Sequence, residues 1–187
     1  MTAPATFSVA LANETATANL MADLAMLIGP GDVVTLSGDL GAGKTFAARA
    51  LIRYFAGDDD LEVPSPTFTL AQGYELPPFP LLHADLYRID DASELEEIGL
   101  SPMPEGAVVL IEWPERAPDA MPADRIDIAF SHRPALLLRL LVVGQGGGRF
   151  GWGRLGTAAG RGEPPPAEQA RRRLIWRHTG APPQSQA

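Results

Sequence analysis

The alternation and clustering of apolar positions along the chain predict interleaved strands and helices. Phe7-Ser8-Val9-Ala10-Leu11 alternates and predicts an edge strand. Asn13 is placed to cap a helix running to about Ile28, with Leu20, Leu24 and Leu27 on one face and Gly29-Pro30-Gly31 as its stop. Asp32-Val33-Val34-Thr35-Leu36-Ser37 is a β-branched, apolar run of strand length. Lys44 to Ala56 contains no Pro or Gly and predicts a second helix, stopped by Gly57 and Asp58-Asp59-Asp60. Thr67-Phe68-Thr69-Leu70-Ala71-Gln72-Gly73-Tyr74 alternates, and Leu81-Leu82-His83-Ala84-Asp85-Leu86-Tyr87 reads as the next strand. With Pro77, Pro78 and Pro80 between them, the two predict a hairpin. Ser93 to Ile98 predicts a short acidic helix with a capping-box pattern in Ser93-x-x-Glu96, ended by Gly99. Ala107-Val108-Val109-Leu110-Ile111-Glu112-Trp113 is the most apolar run, suited to a central parallel strand covered on both faces. Arg125 to Phe130 alternates and predicts a more exposed strand, and Ala135 to Val143 one more.

After Val143 this patterning stops. Gly144-Gln145-Gly146-Gly147-Gly148 opens a segment rich in Gly, Arg and Pro. The prediction is a domain of residues 1–143 followed by a mostly disordered extension, 144–187, with at most a short helix near Ala167 to Ile175. Charge divides the chain near the same place. The net charge of −8 combines 21 acids and 6 bases in residues 1–130 with 2 acids and 9 bases in residues 131–187. The acidic part repels nucleic-acid phosphate over a broad surface; the basic part could attract it, or be a loose tail. The absence of cysteine excludes disulfides and thiolate metal sites. No Lys or Arg precedes Lys44, and no apolar run approaches the length of a membrane span. A soluble, cytoplasmic protein without a membrane partner is therefore expected.

The chemistry is concentrated in Gly38-Asp39-Leu40-Gly41-Ala42-Gly43-Lys44-Thr45, which fits G-x-x-x-x-G-K-[ST], the phosphate-binding loop of P-loop nucleotidases. Its flanks are those the chemistry requires. A strand delivers the chain to the loop, the glycines let backbone N–H groups turn around phosphate oxygens, and the helix N-terminus adds unpaired N–H groups and partial positive charge. Lys44 is the only lysine; the other fourteen basic residues are arginines. A compact ammonium on a flexible stem suits the β- and γ-phosphates better than a planar guanidinium. The fold class predicted is α/β, a P-loop NTPase-like three-layer sandwich with a mostly parallel central sheet and antiparallel edge strands.

Hydrolysis needs a metal site and a group that orients water. Thr45 supplies a hydroxyl for Mg²⁺. Asp85 and Glu112 each end or interrupt an apolar strand, so each carboxylate should emerge at the carboxyl edge of the sheet beside the loop, as a magnesium ligand or catalytic group. The bland readings of Asp85 are a salt bridge to Arg88 or a loop cap. Trp113 could stack on a base or simply plug the core, and packing is the favoured reading. Ser65-Pro66-Thr67 could place a hydroxyl near the γ-phosphate or be ordinary turn chemistry. His83, Tyr87 and Arg88 read as core or surface residues rather than catalysts. With Asn13 and Asn19 the only asparagines, there is no Asn-Lys-x-Asp base-reading element, so adenine is favoured over guanine by elimination.

Five ordered blocks carry a resemblance: the loop Gly38 to Thr45, Ser65-Pro66-Thr67-Phe68-Thr69-Leu70, His83-Ala84-Asp85-Leu86-Tyr87-Arg88, Glu97-Ile98-Gly99 and Ile111-Glu112-Trp113-Pro114-Glu115-Arg116. Over roughly residues 6–130 the chain resembles TsaE, the small bacterial ATPase needed to make threonylcarbamoyladenosine in tRNA. The resemblance implies ATP with Mg²⁺, slow hydrolysis, and partnership with TsaD and TsaB, the tRNA being reached only through that complex. It implies that ATP turnover resets the complex between rounds. On the family pattern Thr45 and Glu112 bind magnesium, Asp85 is needed for activity, and Lys44 is catalytic. Gly38, Asp39, Leu40, Gly41, Ala42, Gly43, Lys44 and Thr45 bind nucleotide; the segment around Asn13, Glu14 and Thr15 lies near it, and Trp113 sits close to the site.

Two features depart from the pattern. Phe46 stands where the family often has a second Thr or a Ser. Beyond Phe130 a compact β-hairpin and an early stop are expected, whereas the chain continues into the basic segment, read either as an out-of-frame ending or as a tail that helps recruit tRNA. Two other functions compete. A small-molecule phosphotransferase usually needs an Arg-bearing lid, and Arg49, Arg53, Arg88 and Arg116 form no cluster in sequence. A non-catalytic, nucleotide-gated binding module would have less use for Asp85 and Glu112.

Overall fold

The computed structural model describes residues 5–91, 93–131 and 137–143. In chain order the elements are β1 (Ala5–Ala10), α1 (Glu14–Ala25), β2 (Val33–Ser37), α2 (Lys44–Ala56), β3 (Ala71–Glu75), β4 (Pro80–Asp85), α3 (Glu94–Glu97), β5 (Val108–Glu112), β6 (Arg125–Ser131) and β7 (Leu137–Val143). The strands form one sheet in the order β1-β7-β6-β2-β5-β4-β3. Strands β6, β2, β5 and β4 run parallel at its centre. Antiparallel pairings are confined to the margins, β3 on β4 at one side and β7 and β1 beyond β6 at the other. The α/β class, the parallel centre, the hairpin and the edge position of the first strand are as the sequence predicts. The readings made of residues 144–187 lie outside the described residues.

Side-chain alternation sorts the central strands between two cores. Val34, Leu36, Val108, Leu110, Ile126 and Ile128 pack against Leu20 and Leu24 of α1 and Ala47, Leu51 and Ile52 of α2. The intervening residues Val33, Val109 and Ile111 face a second cluster with Leu86, Ile89, Leu95 and Leu100. That third layer is thin: α3 is a single turn, joined by 3-10 turns at Pro114–Arg116 and Pro118–Ala120. All five residues of β5 are buried, as a strand covered on both faces requires. Strand β6 alternates between buried and half-buried, because one of its faces is less fully covered.

Three local expectations are corrected. Thr67 to Leu70 is a turn, not strand: Leu70 N–H reaches Pro66 O at 2.6 Å, and Leu70 has a positive φ of 63°. The alternation there is not a core face, since Phe68 is 85% exposed, and the strand begins only at Ala71. Helix α1 is capped as expected, Asn13 Oδ1 accepting from Ala16 N at 2.9 Å, but ends at Ala25. Leu27 N–H bonds to Leu24 O at 2.9 Å as the chain tightens ahead of Pro30, whose ring supplies no donor. The Ser93-x-x-Glu96 box does not form. Ser93 already has helical dihedrals and makes no side-chain cap bond, so the capping acceptor is Asp91, whose Oδ1 takes Ser93 N–H at 2.8 Å. Those bonds from the Ser93 backbone and hydroxyl hold the Asp91 carboxyl below its ordinary pKa.

The fold delivers the glycine loop to the carboxyl end of β2. Gly38 there has a φ of 132°, and a Cβ added to it would lie 2.5 Å from Phe130 O of β6. Only glycine permits this approach. Gly38→Ala should therefore cost about 1–3 kcal/mol of stability through forced dihedral and displaced strand. Leu110→Ala, at a fully buried position of β5, should cost about 2–5 kcal/mol. Urea denaturation midpoints at unchanged m-value measure both; a wild-type midpoint for Gly38→Ala would show that β6 yields to the loop.

Candidate functional site

The parallel register brings the predicted acids together. Asp85 ends β4 and Glu112 ends β5, and they are direct partners across the two strands. Glu112 is likewise level with Leu36 of β2, just before the loop. The residues from Leu40 to Phe46 then form one wall of a cleft of about 310 Å³, and Asp85, Glu112 and Trp113 form the facing wall. Ser65, Thr67 and Tyr87 complete the lining.

Gly43 precedes α2 with a φ of 100°, a left-handed turn that releases the chain into the helix. Lys44 and Thr45 are thus the first two helical residues, where N–H groups lack intrahelical partners and the helix end is partially positive. Lys44 is only 5% exposed. Its Nζ donates to Gly38 O at 2.7 Å and Asp39 O at 2.9 Å and lies 3.6 Å from the centre of the Trp113 ring. Burial lowers its pKa from the ordinary 10.5, against the opposing pull of Glu112 first and then Glu115, Asp85 and Asp39. Trp113 gains this place from a left-handed backbone, φ 59° and ψ 49°, immediately before Pro114. The ring of Tyr87 packs on it at 4.9 Å.

Each buried carboxylate has its own donors. Glu112, 1% exposed, accepts from Thr45 Oγ1 at 2.9 Å on Oε2 and from His83 Nε2 at 2.9 Å on Oε1. Asp85, 3% exposed, accepts from Tyr87 N at 2.9 Å on Oδ1 and from Thr67 Oγ1 at 2.7 Å on Oδ2. Ser65 Oγ lies 2.8 Å from Thr67 Oγ1 and 3.5 Å from Asp85 Oδ2. The salt bridge considered between Asp85 and Arg88 is not what the carboxylate makes; the Arg88 guanidinium lies over the Phe68 ring at 5.3 Å.

The cleft suits a phosphate-bearing ligand with a hard cation. One ammonium and two carboxylates are taken out of water beside a loop built to receive an anion. The hydroxyl of Thr45 with the carboxylates of Glu112 and Asp85 is an all-oxygen donor set, the kind Mg²⁺ takes. Among the described residues no three His, Asp or Glu side chains converge as a complete cage.

Of the residues singled out from sequence, Leu40 to Thr45, Asp85, Glu112 and Trp113 meet at this cleft, and Gly38 and Asp39 hold the Lys44 ammonium through their carbonyls. Glu14 does not join them; it is exposed in the first turn of α1 and is not among the lining residues. His83, read from sequence as a core or surface residue, is fully buried on β4 with Nε2 2.9 Å from Glu112 Oε1. Its position two residues before Asp85 on one strand puts both on the same face, a period-two signal that could have marked it. Tyr87, read in the same way, is 43% exposed and packs on Trp113.

Comparison with known proteins agrees with this geometry. The family model for "Threonylcarbamoyl adenosine biosynthesis protein TsaE" matches residues 11–136. The tRNA threonylcarbamoyladenosine biosynthesis protein TsaE of Rickettsia bellii is 40% identical over 118 residues, which cover 63% of this chain and 81% of that protein. The TsaE protein of Bacillus subtilis is 41% identical over 102 residues, 53% of this chain and 61% of its own length. A crystal structure of Bacillus subtilis YdiB superposes with a TM-score of 0.61 at 27% identity, covering 77% of this chain and 90% of that one. No helix among the described residues is long and apolar enough to cross a membrane. With the family match spanning two thirds of its length and every residue of the cleft, the chain belongs to the TsaE family of threonylcarbamoyladenosine biosynthesis proteins.

Proposed function

We propose that the chain binds ATP with Mg²⁺ in this cleft and hydrolyses it slowly, serving tRNA threonylcarbamoyladenosine synthesis as the ATPase partner of the TsaD and TsaB proteins. The observation that carries this reading is the meeting of Thr45 and Glu112 at 2.9 Å beside the Lys44 ammonium, at the mouth of a P-loop. In this reading the loop N–H groups and Lys44 hold the phosphates, with Lys44 leaving its carbonyl and ring partners for the β- and γ-oxygens. Thr45 and Glu112, with Asp85, would hold the magnesium ion, which would neutralise charge on the phosphate oxygens. Asp85 is fixed from both sides by Tyr87 N and Thr67, so it has the rigidity needed to orient a water for in-line attack. The tRNA is reached only through the partner proteins, in keeping with the acidic character of residues 1–130.

Lys44→Ala, Asp85→Ala and Glu112→Ala should each lower ATP turnover by about tenfold or more, because each removes charge or orientation needed in the transition state. Phosphate release at saturating Mg²⁺ is the measurement, and wild-type turnover by all three would remove the assigned site. Depletion of the gene should lower threonylcarbamoyladenosine in tRNA, read by mass spectrometry of tRNA nucleosides. An unchanged level would reject the role in the cell.

A further inference from the structure

Among the described residues, His83 is the one completely buried ionisable side chain that the proposed chemistry leaves unused. It is 0% exposed, and of its two ring nitrogens Nε2 faces Glu112 Oε1 at 2.9 Å, while Nδ1 has no hydrogen-bond partner among the described residues. Its strand neighbours Leu82 and Ala84 and its β5 partner Leu110 are apolar; its β3 partner is Gln72, which makes no hydrogen bond to the ring. A leucine or methionine would fill this space without desolvating two ring nitrogens or leaving one unpaired, so packing alone does not account for an imidazole. Its one hydrogen-bond partner among the described residues is the far oxygen of the carboxylate whose near oxygen meets Thr45.

We infer that His83 is a positioning residue that fixes the Glu112 carboxylate for the cation. An ionised carboxylate only accepts, so the proton lies on Nε2 and the bond is an N–H donation to Oε1. With Oε1 held from the strand side, the position of Oε2 beside the Thr45 hydroxyl is set as well. The chemistry of the donor matters. Lysine or arginine in this place would neutralise Glu112 and compete with a divalent cation for it. Imidazole orients the carboxylate through a single N–H donation from Nε2 to Oε1. Metal-ligand carboxylates held in this way lose about 10–100-fold in metal affinity when the outer partner is removed.

This inference rests on the reading of Glu112 as a magnesium ligand, and the experiment separates the two. ATP affinity is measured by calorimetry on the full chain, first in EDTA and then with Mg²⁺ titrated at fixed ATP. His83→Leu removes the donor at similar volume. His83→Gln keeps an N–H at nearly the same reach. His83→Asn keeps an amide too short to reach Glu112 and serves if the leucine variant does not fold, with circular dichroism and urea midpoints as the check. The expected result is metal-free ATP affinity within about twofold of wild type for all three. Half-saturating Mg²⁺ should rise about 10–100-fold in His83→Leu and His83→Asn and be largely restored in His83→Gln. If those two variants bind Mg²⁺ as wild type does, while Glu112→Ala has lost the Mg²⁺ response, His83 is a packing residue and the inference is wrong. If Glu112→Ala keeps the wild-type Mg²⁺ response, Glu112 is not the ligand, and both the site assignment and this inference fall.

Discussion

Everything at the cleft depends on one constraint: Lys44, Asp85 and Glu112 are charged groups held out of water at the carboxyl edge of a parallel sheet. Removing an ion from water without compensation costs several kcal/mol even after relaxation. The structure meets that cost with short, specific contacts rather than with one ion pair. Lys44 has two carbonyls and the face of Trp113, Asp85 a backbone N–H and the Thr67 hydroxyl, and Glu112 the Thr45 hydroxyl and the His83 ring. Among the described residues, the one contact of the three at salt-bridge distance is His83 Nε2 with Glu112 Oε1 at 2.9 Å.

The same constraint shapes the backbone around the site. Gly38 passes so near Phe130 that no side chain fits, and this closeness sets the start of the loop against β6. Trp113 takes a left-handed conformation, which for a bulky residue costs about 1–3 kcal/mol. Its return is a ring set directly over the Lys44 ammonium and backed by Tyr87. The turn from Thr67 to Leu70, with another left-handed residue at its end, brings a hydroxyl to Asp85 where a straight strand would have carried it past. Irregular backbone thus occurs where the cleft needs a side chain aimed, while the strands and helices behind it are regular.

Much of the scaffold was legible in the sequence. The unbroken apolar run ending at Glu112 is the central buried strand, Asn13 is the helix cap it reads as, and Gly38 to Thr45 lies between a strand and a helix. The misreadings share a cause. Thr67-Phe68-Thr69-Leu70 has strand alternation but no sheet to pack on, and Ser93-x-x-Glu96 has the letters of a capping box at a residue already turned into the helix. Period and motif report what a segment would bury or cap, and cannot say whether a neighbour is there.

Local chemistry thus determined the kind of protein: an α/β chain with a P-loop motif, a single lysine, and acids placed at strand ends. These follow from side-chain alternation, glycine permissiveness and charge, which act over a few residues. Tertiary structure alone decided who touches whom. Thr45 meets Glu112 across 67 positions, His83 meets the same carboxylate across 29, and Thr67 reaches Asp85 across 18. Those meetings depend on the pairing of β2, β5 and β4 in parallel register, a choice made by the whole sheet and its two cores. It also left Glu14 outside the cleft, in the first turn of the helix that Asn13 caps.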